Sequence, residues 1–219
     1  MSEPQVVASL HAGSAAPPLE RSRLWRAAIK WPMYAVAVMP VLLAAGWRIS
    51  QGLAVRPGQL LLFLVAAVLL LGWENLSNDV FDDDTGVDAL GKPHSVVALT
   101  GRRDRVATLS SVMLLLGLAL MAWVALASTP AVLLLVLACC GLGYLYQGPP
   151  FRLGYRGLGE PLCWLAFGPC ATAAALLALA PPAAGAEGGV IPWRDALVLG
   201  AGPAPVSYTH LTLPTNREV

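Results

Sequence analysis

Trp73-Glu74-Asn75-Leu76-Ser77-Asn78-Asp79-Val80-Phe81-Asp82-Asp83-Asp84-Thr85-Gly86-Val87-Asp88 follows directly on the apolar run from Leu60 to Leu71, so a dense group of acids sits at the end of what reads as a membrane-spanning helix. Carrying Asp or Glu to the middle of a bilayer costs about 2.5–3.5 kcal/mol each even on the mildest scale, so acids kept in such a place have a task. Five of the thirteen acidic residues lie between Asp79 and Asp88. If Leu60 to Asp82 is one helix, Asn75, Asn78, Asp79 and Asp82 fall at i, i+3, i+4 and i+7, which is a single face. That face directs amides and carboxylates toward one place.

Outward from this stretch, the composition is that of a chain facing lipid. Of 219 residues, 57% are hydrophobic and only 12% charged, whereas an aqueous surface needs about a quarter of the chain charged. Mean hydropathy is +0.65. A formal net charge of +1 gives no basic field, and no nucleic acid partner is expected. Cys139, Cys140, Cys163 and Cys170 all lie in apolar segments without metal-ligand spacing and read as small buried residues. Met1 to Glu20 is polar and rich in Ala, Pro and Ser, with no apolar core before a cleavage site, so a disordered cytosolic tail over residues 1–24 is expected and no signal peptide.

Five apolar stretches approach the ~20 residues that cross ~30 Å of hydrocarbon at about 1.5 Å per residue. They are Trp25 to Trp47, Gln59 to Phe81, Val106 to Ala127, the shorter Ala131 to Tyr146, and Glu160 to Ala180. A sixth begins at Ala196 and stops almost at once. With the N-terminus in the cytosol, Arg21, Arg23, Arg26, Lys30, Lys92, Arg102, Arg103, Arg105, Arg152 and Arg156 collect on the cytosolic side, against Arg48, Arg56 and Arg194 opposite. Lys and Arg accumulate on the cytoplasmic side of short loops, so this orientation is expected. It puts the acidic stretch and the loop Gln147 to Gly159 on one face.

The C-terminal end reads differently. The helix opening at Trp193-Arg194-Asp195 breaks at Gly202-Pro203-Ala204-Pro205, and a half-span leaves backbone groups unsatisfied in lipid. Val206 to Leu211 resembles the translated end sequence of a transposon-based sequencing adapter. Residues 206–219 are therefore expected to be non-native, and residues 25–205 to be a partial membrane domain.

Carboxylates grouped with amides at a membrane surface suit Mg²⁺, which takes oxygen ligands and binds through one or two carboxylates plus substrate phosphates. A bound Mg²⁺ neutralises a diphosphate and improves it as a leaving group. Lys92, Arg102, Arg103 and Arg105 follow the acids and suit non-bridging phosphate oxygens, although a solvated positive-inside turn would contain them equally. A second loop, Tyr144-Leu145-Tyr146-Gln147-Gly148-Pro149-Pro150-Phe151-Arg152-Leu153-Gly154-Tyr155-Arg156-Gly157-Leu158-Gly159-Glu160, is aromatic and irregular. Such backbone is tolerated in a membrane protein where it lines a cavity or lies in the interface. Ring faces there would stabilise an allylic cation formed as diphosphate departs, and an interfacial aromatic belt is the plain alternative.

Asn78-Asp79-Val80-Phe81-Asp82 resembles the first aspartate-rich motif of the UbiA-type intramembrane aromatic prenyltransferases. Within that superfamily, Ala27 to Tyr34 running on to Pro40, Trp73 to Asp88 with His94 to Gly101, and Tyr144 to Glu160 are similar to the phytyltransferase branch of phylloquinone synthesis. The similarity covers about residues 24 to 200. It implies an all-α, polytopic transmembrane helix bundle, of which this chain holds about five complete spans and a truncated sixth out of an expected nine. It implies transfer of a phytyl or other prenyl group from its diphosphate to 1,4-dihydroxy-2-naphthoate, with loss of carbon dioxide, in a bacterial plasma or thylakoid membrane.

Carried over onto this chain, Asn78, Asp79 and Asp82 would be catalytic and would hold Mg²⁺ with Asp88. Asn75, Lys92, Arg102, Arg103, Tyr144, Tyr146 and Arg152 would hold the phytyl diphosphate and the acceptor within the lipid bilayer. The chain departs from the superfamily pattern at Gly86, where a third Asp is usual, so Asp88, Asp83 or Asp84 must substitute. The family's second aspartate-rich loop has no counterpart here. Homogentisate or chlorophyllide as acceptor, and a non-enzymatic carrier or channel with acids along its path, are the competing readings.

Overall fold

The computed structural model of the protein describes residues 18–85, 95–181 and 190–202. Among these residues every regular element is helical: α1 (Pro18–Ile29), α2 (Trp31–Ser50), α3 (Pro57–Thr85), α4 (Val96–Thr100), α5 (Arg103–Leu126), α6 (Pro130–Gln147), α7 (Gly159–Leu165), α8 (Ala171–Leu179) and α9 (Trp193–Gly200). A 3₁₀ turn, Leu153–Arg156, precedes α7, and a π-helical turn, Ala166–Cys170, joins α7 to α8. Five helical segments are long and apolar enough to cross a membrane, as expected from the hydropathy of the sequence. The segment expected to begin a sixth is the eight-residue α9. The expected C-terminal tail, 206–219, lies outside the described residues.

The first span differs from expectation. Its helix starts at Pro18 rather than near Trp25, and it is interrupted at Lys30, whose φ of 50° is left-handed. A left-handed backbone at a residue other than Gly costs about 1–3 kcal/mol and persists only when its surroundings hold it. Pro32 at the start of α2 contributes to the break, because it cannot donate to the preceding turn. The break turns Lys30 out of the helical register, and its ammonium lies over the end of α3.

α3 has 29 residues, about 43 Å at ~1.5 Å per residue against ~30 Å of hydrocarbon. Its last turns therefore emerge at the interface, and those turns hold the acids. α3 packs along α5, where Gly117 admits Leu70, Gly72 admits Met113, and the Ser110 hydroxyl donates to the Trp73 carbonyl at 3.1 Å. Outward-facing Leu61, Leu115, Trp123, Leu126 and Leu134 are each more than 60% exposed, as lipid contact requires.

The fifth span is the innermost. Of its most apolar stretch 67% is buried, against 39% or less in the other four. The small residues Ala173, Ala174, Ala175 and Ala178 let α8 approach α2 and α6 closely, around Val41, Ala44, Val132 and Leu135. Pro169 cannot donate a helical hydrogen bond, and the chain widens there to a π turn. The Ala166 carbonyl consequently receives the N–H of Ala171, five residues on, and the thiol of Cys139 at 3.4 Å. At the opposite end of the bundle, Arg48 donates to the Ala54 carbonyl and Arg56 to that of Ala127, at 2.6 Å. These cations, exceptions to the charge asymmetry, close backbone carbonyls at helix ends.

Candidate active site

Asn75, Asp79 and Asp82 are buried at the end of α3, the two acids at 4% and 1% exposure, and Asn78 is half-buried between them. The helical spacing thus yields one polar stripe, as the sequence implies. Its members face different neighbours. Asp79 accepts the backbone N–H of Val96 at 2.8 Å and lies 3.7 Å from the Lys30 ammonium. Asp82 accepts the Tyr155 hydroxyl at 2.6 Å. Burial, and then that hydrogen bond, hold the Tyr155 phenol above its ordinary value. The Asn75 amide nitrogen is buried without a hydrogen-bond partner.

Local structure explains these placements. Ser95 caps α4 by accepting the Ala98 N–H at 3.1 Å, which leaves the Val96 N–H free to meet Asp79. After α6 the chain passes through Gly148, the cis Pro149–Pro150 peptide and a left-handed Arg152 (φ 44°). That turn lays Arg152 across the end of α3, where its guanidinium donates to the Thr85 hydroxyl at 2.9 Å and to the Phe81 carbonyl. Phe81 meets Tyr144 edge to face with ring centres 6.1 Å apart, and the Tyr144 hydroxyl donates to the Pro149 carbonyl at 2.7 Å. Below, the buried Gln147 amide donates to Ser77 at 2.7 Å, tying α6 to α3.

The turns of α3 that precede the polar stripe line an apolar cavity, walled by Phe63, Leu71, Trp73, Met121, Cys139, Cys140, Tyr146, Cys163 and Phe167. Glu74 is the one charged residue among its described lining. Tyr146 is held at the rim by Gly154 and Gly159, where a Cβ would come within about 3 Å of its ring.

Of the residues singled out in the sequence, Asn75, Asn78, Asp79, Asp82, Arg152, Tyr144 and Tyr146 gather around the end of α3. Arg103 instead pairs its Nε and one Nη with the two Asp84 carboxylate oxygens, each at 2.7 Å, on the surface. Arg102 is exposed beside it. Asp88 and Lys92 lie outside the described residues. Of the substitutes for the missing third Asp, Asp83 and Asp84 are exposed, pointing away from the buried pair. The sequence pointed to no site role for Lys30, Ser77, Gln147 or Glu74, and to Tyr155 only as a ring face of the loop. Lys30 was legible only as a basic residue between apolar runs, and Tyr155 only as one aromatic among several, because both contacts join distant parts of the chain.

Among the described residues no three His, Cys, Asp or Glu side chains converge on one point. The buried pair nonetheless fits a hard cation in donor type. Both are carboxylates one turn apart, and an ammonium, an N–H and an O–H, each positively polarised, already lie against them. A cation taking the pair would complete its shell from diphosphate oxygens and water.

A conserved-domain match runs over residues 33–215, to the UbiA prenyltransferase family. The chain belongs to that family. This UbiA family member is 51% identical over 161 residues to the 2-carboxy-1,4-naphthoquinone phytyltransferase of Synechocystis sp., covering 70% of this chain and 50% of the relative. It is 43% identical over 157 residues to the chloroplastic 2-carboxy-1,4-naphthoquinone phytyltransferase of Arabidopsis thaliana, covering 71% of this chain and 41% of that one. The chain spans about half the length of the curated relatives it matches, or less. No solved structure matches it. Its helices and its family make it a multi-pass integral membrane protein.

Proposed function

We propose that the protein of which this chain is a UbiA family portion transfers a phytyl, or other prenyl, group from its diphosphate to 1,4-dihydroxy-2-naphthoate, with loss of carbon dioxide. The observation that carries this reading is the arrangement at the end of α3: buried Asp79 and Asp82, with Lys30 and Arg152 beside them, follow within about two turns on Trp73 and Glu74, which line an apolar cavity. A diphosphate needs the former and a prenyl chain the latter. The acceptor in the relatives' name, 2-carboxy-1,4-naphthoquinone, differs from 1,4-dihydroxy-2-naphthoate by two electrons and two protons, and only the electron-rich dihydroxy form would attack a cation.

Asp79 and Asp82, with Asn78, would hold Mg²⁺. When bound, it would supply charge neutralisation for the departing diphosphate. Lys30 and Arg152 carry positive charge to the same place and would contact the oxygens that the cation leaves uncovered. The Tyr146 ring at the cavity rim, fixed by Gly154 and Gly159, offers a π-face to an allylic cation and excludes water that would quench it. The proposed orientation has the N-terminus and the acidic end of α3 in the cytosol, supported by the charge asymmetry of the loops, in a bacterial plasma or thylakoid membrane.

The test is complementation with the intact gene in a host lacking its naphthoate prenyltransferase, with quinone measured by chromatography. Rescue is expected. Absence of quinone despite membrane-inserted protein would count against the reading, and restoration only with homogentisate or chlorophyllide would move it to another acceptor.

A further inference from the structure

Glu74 is the group that the reading above leaves without a role. It lies on the same ridge of α3 as Asn78 and Asp82, four and eight residues earlier, hence about 6 and 12 Å deeper along the axis at ~1.5 Å per residue. Its side chain lines the apolar cavity. Gly143 on α6 makes room for the carboxyl: a Cβ there would stand 3.2 Å from Oε1.

The neighbouring polar side chains do not serve this carboxyl. Ser77 donates to the backbone carbonyl of Glu74, and Gln147 donates to Ser77. Among the described residues the Glu74 side chain has no hydrogen bond and no ion pair within 4 Å, and the Lys30 charge reaches it only as a longer-range field. An acid held in an apolar pocket at membrane depth without a partner is costly, and a ligand group that donates to it removes that cost.

We infer that Glu74 binds the aromatic acceptor, its carboxyl receiving a ring hydroxyl of a dihydroxynaphthoate seated in the cavity beneath the diphosphate. This rests on the proposed function. The order of groups along α3 matches the order of the reactants: diphosphate at Asp79 and Asp82, reacting carbon below it, acceptor hydroxyl at Glu74. A ring hydroxyl has a proton to donate to this carboxyl and the acceptor's own carboxylate has none, so a hydroxyl is the edge that turns toward it. Glu74 then fixes the ring's orientation as well as its identity.

The test uses the protein encoded by the intact gene, in lipid nanodiscs, and three probes: 1,4-dihydroxy-2-naphthoate, 2-naphthoate, which lacks both hydroxyls, and inorganic pyrophosphate with Mg²⁺. A site built to hydrogen-bond a hydroxyl rejects the analogue lacking it, so wild type is expected to prefer the dihydroxy compound by about tenfold or more. Glu74→Leu is expected to bring the two aromatic compounds within about twofold of each other, leaving pyrophosphate binding unchanged. Glu74→Gln, nearly isosteric, should fall between them, and is read alone if the leucine variant does not fold. Undiminished preference in the variants would overturn the inference about Glu74 and leave the proposed function standing. A wild-type chain that binds pyrophosphate but shows no hydroxyl preference would overturn the inference while sparing the diphosphate site. A wild-type chain that binds neither probe class sinks both.

Discussion

Asp82 and Tyr155 stand 73 residues apart in the sequence and 2.6 Å apart in space. The contact fastens the loop after α6 to the acidic end of α3, and Arg152 reinforces it. Tyr155→Phe removes one hydrogen bond, worth about 1 kcal/mol, and should lower the melting temperature modestly while leaving turnover within about tenfold of wild type. Asp82→Asn or Asp79→Asn should instead reduce prenyl transfer by about 100-fold or more, since several kcal/mol of charge stabilisation would be lost. Both variants should still be found in the membrane fraction; turnover near the wild-type rate would remove these acids from the site.

The raised phenol gives the loop a pH signature. Its stabilising contribution is complete below the ordinary tyrosine value of about 10 and declines only as pH climbs from there toward the higher folded-state value. The difference in thermal stability between wild type and Tyr155→Phe should therefore be flat across neutral pH. A difference that vanished between about pH 6 and 8 would contradict that assignment.

Helix packing places the site by way of small residues. α9 seats against the π turn because Gly200 lacks a side chain: a Cβ there would fall 2.5 Å from the Gly168 carbonyl carbon, which is backbone and cannot step aside. Gly200→Ala should destabilise the protein by about 1–3 kcal/mol, read as a lower thermal midpoint in detergent. Gly58→Ala, where no atom lies within 4 Å, is the control and should cost little. The π turn at Pro169 and the break at Lys30 both interrupt what hydropathy reads as continuous spans. Apolar periodicity reports which stretch is in lipid, not whether its hydrogen-bond ladder is unbroken.

Taken as a bundle, the chain presents its acidic stripe, its Lys30 and Arg152 cations and its loop contacts at one end, and Arg48, Arg56 and Arg194 toward the other. Single cysteines in a background lacking Cys139, Cys140, Cys163 and Cys170 would test the orientation proposed for this arrangement. Arg102→Cys should react with a membrane-impermeant maleimide only from the cytosolic side, and Ser128→Cys only from the opposite side. Reversed labelling would invert the topology and put the diphosphate site on the wrong face.

Fold class, the number of long apolar spans and the stripe from Asn75 to Asp82 were all legible in the residues alone. Each follows from local quantities: hydropathy over a window of membrane thickness, and the 3.6-residue period of a helix. The sequence also exposed Arg152 and Tyr146 as residues of an irregular segment that either lines a cavity or lies in the interface. It took the packed helices to show that Lys30 reaches Asp79, that Tyr155 takes Asp82, that Arg103 pairs with Asp84, and that Glu74 faces an apolar cavity opposite Gly143. These contacts close between helices far apart in the chain. Their geometry depends on how the spans rotate and approach one another, which the small residues on α5, α6 and α8 set and which no single window of sequence encodes.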